Sequence, residues 1–195
     1  MSLIFIDVGG YEGQTLDEVI KPHWGFDKIY CLEPMPRQFE VLTQKYSHLE
    51  NVELLEYGLS DQTGFALIYG DNSIMEASMY DEKRDVNSSF ETMCQFVEAS
   101  EFVNKLFEDK IIMKLNCEGA EYVILQNLID TGSIWRLENV MIDFDVRKVP
   151  GMEWTEKHIL GELKRIGFTR YSLCDDVMKG ITHQDRIASW LHGVI

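Results

Sequence analysis

Several things are missing from this chain, and each absence excludes something. No apolar run approaches the roughly 18 residues that a membrane-spanning helix needs. Basic residues are scarce, 18 Lys and Arg against 33 Asp and Glu, for a net charge of −15, and they form no run. Nucleic-acid affinity rests on Lys and Arg neutralising phosphates, so no nucleic-acid partner is expected. The four cysteines, Cys31, Cys94, Cys117 and Cys174, contain no C-x-x-C pair, which reads as free, mostly buried thiols in a reducing compartment. The five histidines, His23, His48, His158, His183 and His192, lack mutual metal-ligand spacing, and no metal site is expected. The chain opens on an apolar stretch without a charged leader, so the expected location is cytoplasmic. At 195 residues there is room for one buried core but not for two domains and a linker, and a single domain over 1–195 is expected.

Short apolar strands alternate with helical patterns from end to end, the mark of a parallel sheet covered by helices. The pattern predicts core strands at 3–8, 28–33, 52–56, 110–116, 139–144, 168–173 and 186–191, with an extra strand at 65–69. Leu16, Val19 and Ile20 recur at helical spacing until Pro22, and Phe39, Leu42 and Tyr46 do so after Pro36. Further helices are predicted at 98–107, around Val123, Ile124, Leu128 and Ile129, and from Thr155 to a terminating Gly167. The polar, turn-rich stretch 71–87, with Met75, Met79 and Tyr80, is read as a lid. The expected fold is α/β: a doubly wound, seven-stranded, Rossmann-like sheet with one antiparallel strand near the end and a small insertion in the middle.

The chemistry starts at Asp7-Val8-Gly9-Gly10-Tyr11-Glu12-Gly13, where the first strand ends in an acid and a glycine-rich turn. In such sheets, ligands bind beyond the carboxyl ends of the strands. A dinucleotide fingerprint ending at Gly13 requires glycine at position 8, where Val8 stands, so a nicotinamide-dependent oxidoreductase is disfavoured. Glu33, 20 residues beyond Gly13, ends the second strand, where a carboxylate accepts charge-assisted hydrogen bonds from a ribose diol. That feature points to a nucleoside without choosing the cofactor.

Three further segments sharpen the choice: Leu32-Glu33-Pro34, Tyr57-Gly58-Leu59-Ser60-Asp61 and Lys114-Leu115-Asn116-Cys117-Glu118-Gly119-Ala120-Glu121. With the opening turn, their order resembles the FkbM family of S-adenosylmethionine-dependent methyltransferases, over about residues 4–144. The resemblance implies a class I methyltransferase fold, S-adenosyl-L-methionine as cofactor, and O-methyl transfer onto a sugar, glycan or small natural product. It assigns Asp7, Gly9, Gly10 and Gly13 to the cofactor turn and Glu33 with Pro34 to the ribose. Ser60 and Asp61 it places beside the adenine, and Asn116 at the cofactor and the reacting centre.

Two residues depart from the family's pattern. Gly10 stands where alanine is usual, and Asn116 replaces the aspartate of the K-x-D box. Asparagine cannot act as a base, though it can hydrogen-bond an amino group or orient an acceptor. General-base assistance would then fall to Glu118, with Glu121, Asp143 and Asp145 nearby; Asn116, Glu118 and Asp145 are the expected catalytic set. His183 in the last loop and the aromatics Tyr11 and Trp154 are further candidates for an acceptor pocket. The expected partner is a small-molecule or carbohydrate acceptor, with a homodimer as the default assembly. Asn116 also keeps open a non-catalytic cofactor-binding or scaffold protein of the same fold.

Overall fold

The computed structural model describes residues 2–70, 77–84, 86–106 and 110–195. Strand β1 (Leu3–Val8) is buried along almost its whole length, as a strand covered by helices on both faces must be. A short helix, α1 (Leu16–Val19), and a 3₁₀ turn at Pro22–Trp24 lead to β2 (Lys28–Leu32). Pro36 opens α2 (Pro36–Tyr46), at a position where its missing N–H costs nothing, and β3 (Val52–Leu55) follows. Three strands then form a separate sheet: β4 (Gly58–Ser60), β5 (Gly64–Tyr69) and β6 (Glu91–Glu98). The chain returns through α3 (Ala99–Lys105) to β7 (Lys110–Leu115), α4 (Glu121–Asp130) and β8 (Leu137–Ile142). It ends with α5 (Trp154–Ile166), β9 (Tyr171–Leu173), α6 (Cys174–Val177) and α7 (His183–Leu191).

The main sheet has the order β3-β2-β1-β7-β8-β9, and every pairing in it is parallel. The chain builds outward from β1 to β3 and then returns to lay β7 on the other side of β1. A crevice therefore opens between β1 and β7 at their carboxyl ends, the place where such sheets bind ligands. Alternation along the strands splits the core in two. Ile4, Ile6 and Val8 join Ile111, Met113 and Leu115 against α3, α4 and α5. Phe5, Ile29, Ile112 and Met141 face the other way, onto Leu16, Leu42, Ile187 and Trp190 of α1, α2 and α7.

The doubly wound α/β class is as the pattern predicts, but among the described residues the main sheet has six strands, not seven, and its last strand is parallel, not antiparallel. The missing one, expected at 186–191, lies within α7. Arg-Ile-Ala-Ser-Trp-Leu fits either period, and the packing decides: Ile187, Trp190 and Leu191 bury together at helical spacing. A capping box starts that helix, with Asp185 N donating to Thr182 Oγ1 at 3.1 Å and Thr182 N donating to Asp185 Oδ2 at 3.0 Å. The insertion at 65–69 forms β5, paired antiparallel with β6, a strand the sequence pattern did not suggest. Of the predicted lid at 71–87, residues 71–76 and 85, Met75 among them, lie outside the described residues, as does 107 at the end of the predicted 98–107 helix. Among the described residues no helix is long and apolar enough to cross a membrane.

Candidate functional site

A cavity of about 330 Å³ occupies the crevice. Its floor is the turn after β1. Gly9 has φ 86°, and a side chain there would collide with the backbone carbonyl of Asn116, so the turn and the end of β7 touch through bare backbone. The N–H groups of Gly9 and Gly10 both donate to Leu32 O at 3.0 Å, tying the turn to β2. A Cβ at Gly10 would strike Cys31 Sγ, which accounts for glycine where the family resemblance leads one to expect alanine. Gly13 does not line the cavity. The ring of Tyr46 fills the space its Cβ would need, and the Tyr46 hydroxyl is shared between Asp17 Oδ1 (2.7 Å) and Gly13 O (3.0 Å).

Asp7 lies below this floor, fully buried, and does not line the cavity. It pairs in register with Lys114 on the face that carries Phe5 and Ile112, and Lys114 Nζ lies 2.8 Å from Asp7 Oδ1. Burial works against the Lys114 ammonium, but the Asp7 carboxylate holds its pKa above that of an ordinary lysine. Lys114 Nζ also reaches Gly9 O at 3.4 Å, so the pair braces the turn from beneath. Asp7 Oδ2 has no hydrogen-bond partner among the described residues.

Glu33 faces the cavity where the resemblance assigns the ribose acid. Its Oε1 accepts from Met35 N at 2.9 Å and its Oε2 from Tyr11 N at 2.8 Å, so each oxygen keeps a lone pair for a ligand. Burial pushes its pKa up to about 7, against the pull of these two amides; Asp7 raises it further and Lys114 lowers it. Beside Glu33 and Pro34 lies an apolar slot of Met35, Leu59, Ile68 and Phe96. Gly58 makes the slot possible, because a Cβ there would press into the Phe96 ring at 2.6–2.8 Å. Ser60 and Asp61 fall outside the cavity wall, and Ser60 Oγ donates to Asp61 Oδ1 at 3.0 Å.

The third wall follows β7. Asn116 lines the cavity, and its buried Oδ1 has no hydrogen-bond partner among the described residues. Glu118 and Gly119 both have positive φ, 58° and 120°. Glu121 holds this loop in place from below: its Oε1 accepts from Cys117 N (3.0 Å) and Gly119 N (3.1 Å), and its Oε2 from Val146 N (3.1 Å). Burial pushes the Glu121 pKa up to about 7, and it takes no part in the wall.

Glu118 lines the cavity, and its carboxylate is bonded to Lys83, whose side chain is only 1% exposed. Burial raises the Glu118 pKa, Lys83 pulls it down, and a hydrogen bond with Asp145 raises it again. Asp145 stands behind the wall and pairs with Lys148 at 2.8 Å. Residues 77–84 form a strap over this edge, and Ala77, Ser78 and Met79 line the cavity. Ser78 Oγ donates to Glu118 O at 2.6 Å, Ser78 and Tyr69 exchange two backbone bonds of 2.8 Å, and Arg84 N donates to Lys148 O at 3.1 Å.

The fold thus gathers Gly9, Gly10, Glu33, Pro34, Asn116 and Glu118 around one cavity and leaves Asp7, Gly13, Ser60, Asp61 and Asp145 outside its wall. Tyr11 lines it, whereas Trp154 stands exposed against Tyr122 and His158 on α5. Sequence reasoning missed Phe96 and Lys83. Cys94 and Phe96, buried at alternate positions of β6, were the available signal for the first. No local pattern marks Lys83.

No family model matches the chain, and no curated protein matches it. The chain is similar to a solved structure described as the methyltransferase FkbM from Methylobacillus flagellatus KT, at 14% identity and a TM-score of 0.46. The match covers 70% of this chain and 31% of that one, so the chain spans about a third of the length of that structure.

Proposed function

We propose that this chain binds S-adenosyl-L-methionine and transfers its methyl group to a hydroxyl of a sugar, glycan or small natural product. The observation that carries the reading is Glu33: two backbone N–H groups hold its carboxylate and leave one lone pair on each oxygen, which suits the two hydroxyls of a ribose. The adjoining slot of Met35, Leu59, Ile68 and Phe96 suits a flat base, and aromatic stacking on such a ring contributes about 1–3 kcal/mol. The cofactor also fits the unpartnered Asn116 Oδ1, a buried acceptor that suits the ammonium group of an amino acid.

The bound cofactor supplies an activated methyl group on sulfonium sulfur. What falls to the chain is to align an acceptor hydroxyl and take its proton. Glu118 is the carboxylate on the wall that can do so. Glu118, in the cavity wall, would take the proton of the acceptor hydroxyl as that oxygen receives the methyl group. Asp145 favours the protonated form of Glu118, and Lys83 favours the ionised one. Base assistance of this kind typically contributes about 10²–10⁴-fold. A second reading, cofactor binding without turnover, is favoured by that same Lys83–Glu118 bond, since Lys83 already neutralises the base.

Calorimetric titration with S-adenosylhomocysteine, with NAD⁺ as control and Glu33→Ala as negative, tests the cofactor. Micromolar binding that is lost in the variant supports it, and heat with NAD⁺ alone overturns it. A panel of hydroxyl acceptors with Glu118→Gln then separates the two readings. Turnover that collapses in the variant supports methyl transfer, and cofactor binding with no turnover on any acceptor supports the second.

A further inference from the structure

Ribose, base and acceptor leave one end of the cavity unassigned. Beyond the glycine turn, Tyr11, Gln14 and Thr15 line the cavity opposite His183, the first residue of α7. The His183 imidazole comes from the far end of the chain, and its Nε2 lies 3.1 Å from Thr15 Oγ1. We propose, resting on the cofactor reading above, that His183 and Thr15 together receive the carboxylate of the cofactor's amino-acid end.

Direction comes first. Glu33 and the slot of Met35 and Phe96 hold the nucleoside on the β2 and β4 side. Thr15 and His183 line the same cavity from the side of α1 and α7.

Donor chemistry comes second. If the Thr15 hydroxyl donates to Nε2, the neutral imidazole keeps a proton on Nδ1; if Nε2–H donates to Thr15, the hydroxyl keeps its own. In either tautomer the pair retains one proton to donate to an anion. Burial and the neighbouring Lys114 and Arg186 lower the His183 pKa, against the opposing pull of Asp7 and Asp17, so the free ring is neutral. Lys114, paired with Asp7 and reaching Gly9 O, braces the same stretch of turn from beneath.

Complementarity comes third. Asn116 offers the ammonium an acceptor while the Thr15–His183 pair offers the carboxylate a donor, so the two charges of a zwitterion meet opposite partners. The capping box of Thr182 and Asp185 fixes the first turn of α7, and α7 packs on α1, so the ring stands on a braced element.

The test compares S-adenosylhomocysteine with 5′-methylthioadenosine, which keeps the nucleoside and lacks the amino-acid end. Both are titrated calorimetrically into the full chain and into His183→Ala, His183→Gln and Thr15→Val, each variant checked by thermal melting without ligand. His183→Ala is expected to weaken S-adenosylhomocysteine about tenfold and leave methylthioadenosine within about twofold, as loss of a hydrogen bond to a charged group would do. His183→Gln, which restores a donor, recovers part of that loss, and Thr15→Val shows a smaller version of it. Equal weakening of both ligands, or no weakening of either, overturns the assignment of His183 while leaving the cofactor reading intact. A wild-type chain that binds neither nucleoside overturns both.

Discussion

On the proposed cofactor reading, the Glu33 carboxylate makes nucleoside binding depend on pH in a calculable way. In the free cavity burial raises its pKa to about 7. The two amides that hold it, Tyr11 N and Met35 N, both need an acceptor, and two ribose hydroxyls need one more lone pair on each oxygen. A protonated carboxyl turns one of those oxygens into a donor facing a donor. Only the ionised form binds well, so binding expels the proton and affinity falls as pH drops through 7. With a free-state pKa of about 7, roughly nine tenths of Glu33 is ionised at pH 8 and about 3% at pH 5.5, an affinity ratio of about 30-fold. Methylthioadenosine is the right probe, because it carries no amino-acid end to couple with His183. The assay is calorimetric titration at both pH values in two buffers of different ionisation enthalpy, which reads the released proton directly. Glu33→Gln should bind weakly with no slope. A wild-type affinity that is flat between pH 5.5 and 8 would refute the argument that the ionised carboxylate holds the diol.

Three other outcomes follow from the packing around the site. Glu121 titrates near 7 when folded against an ordinary 4.5, so the stability it confers is complete below 4.5 and lost as pH rises through 7, about 3 kcal/mol in all. Glu33 acts with the same sign, so Glu121→Gln should make the fall of urea-unfolding free energy between pH 5 and 7 shallower; an unchanged slope would count against it. Gly13→Ala should cost about 3 kcal/mol, because φ is 91° and the Tyr46 ring blocks the new Cβ, lowering the melting temperature by roughly 6–12 °C. Gly161→Ala, in α5 with nothing within 4 Å of the added carbon, should instead stabilise by about 0.5–1 kcal/mol; matching signs for the two would sink the reasoning. Lys83→Met should destabilise by about 2 kcal/mol, less than the loss of a fully buried partner because Glu118 is 21% exposed, and Lys83→Met with Glu118→Gln should recover most of it. Simple additivity in that double-mutant cycle would show that the two side chains are not coupled.

The frame of the fold was readable because a parallel sheet covered on both faces writes its strands as apolar runs. Leu3–Val8 and Lys110–Leu115 stand where the pattern predicts them, and Pro36 and Gly167 mark the ends of helices as those residues should. Residues 186–191 misled because six residues with three large apolar side chains fit both periods, and only docking on the face of Phe5 and Ile112 selects the helix. In the site, Glu33 was legible because an acid ending a strand after a glycine turn has few other uses. Asp7 and Gly13 belong to the same motif, yet they support the turn from behind: one braces Lys114, the other makes room for Tyr46. A motif records which residues a turn requires and not which of them reach the ligand. His183 was a pocket candidate from the sequence and lines the cavity, but its partner Thr15, like the pairing of Lys83 with Glu118, is set only by the tertiary fold.

The separation of that last pair bears on how the protein comes into being. Thr15 and His183 are 168 positions apart. On a ribosome adding roughly 5–20 residues per second, the second half of this wall emerges on the order of ten seconds or more after the first. Until α7 arrives, Leu16 and Phe5 lack the cover of Ile187 and Trp190, and the cavity is open on that flank. The sheet is thus complete before one wall of the cavity is, and the docking of α7 on α1 supplies that wall.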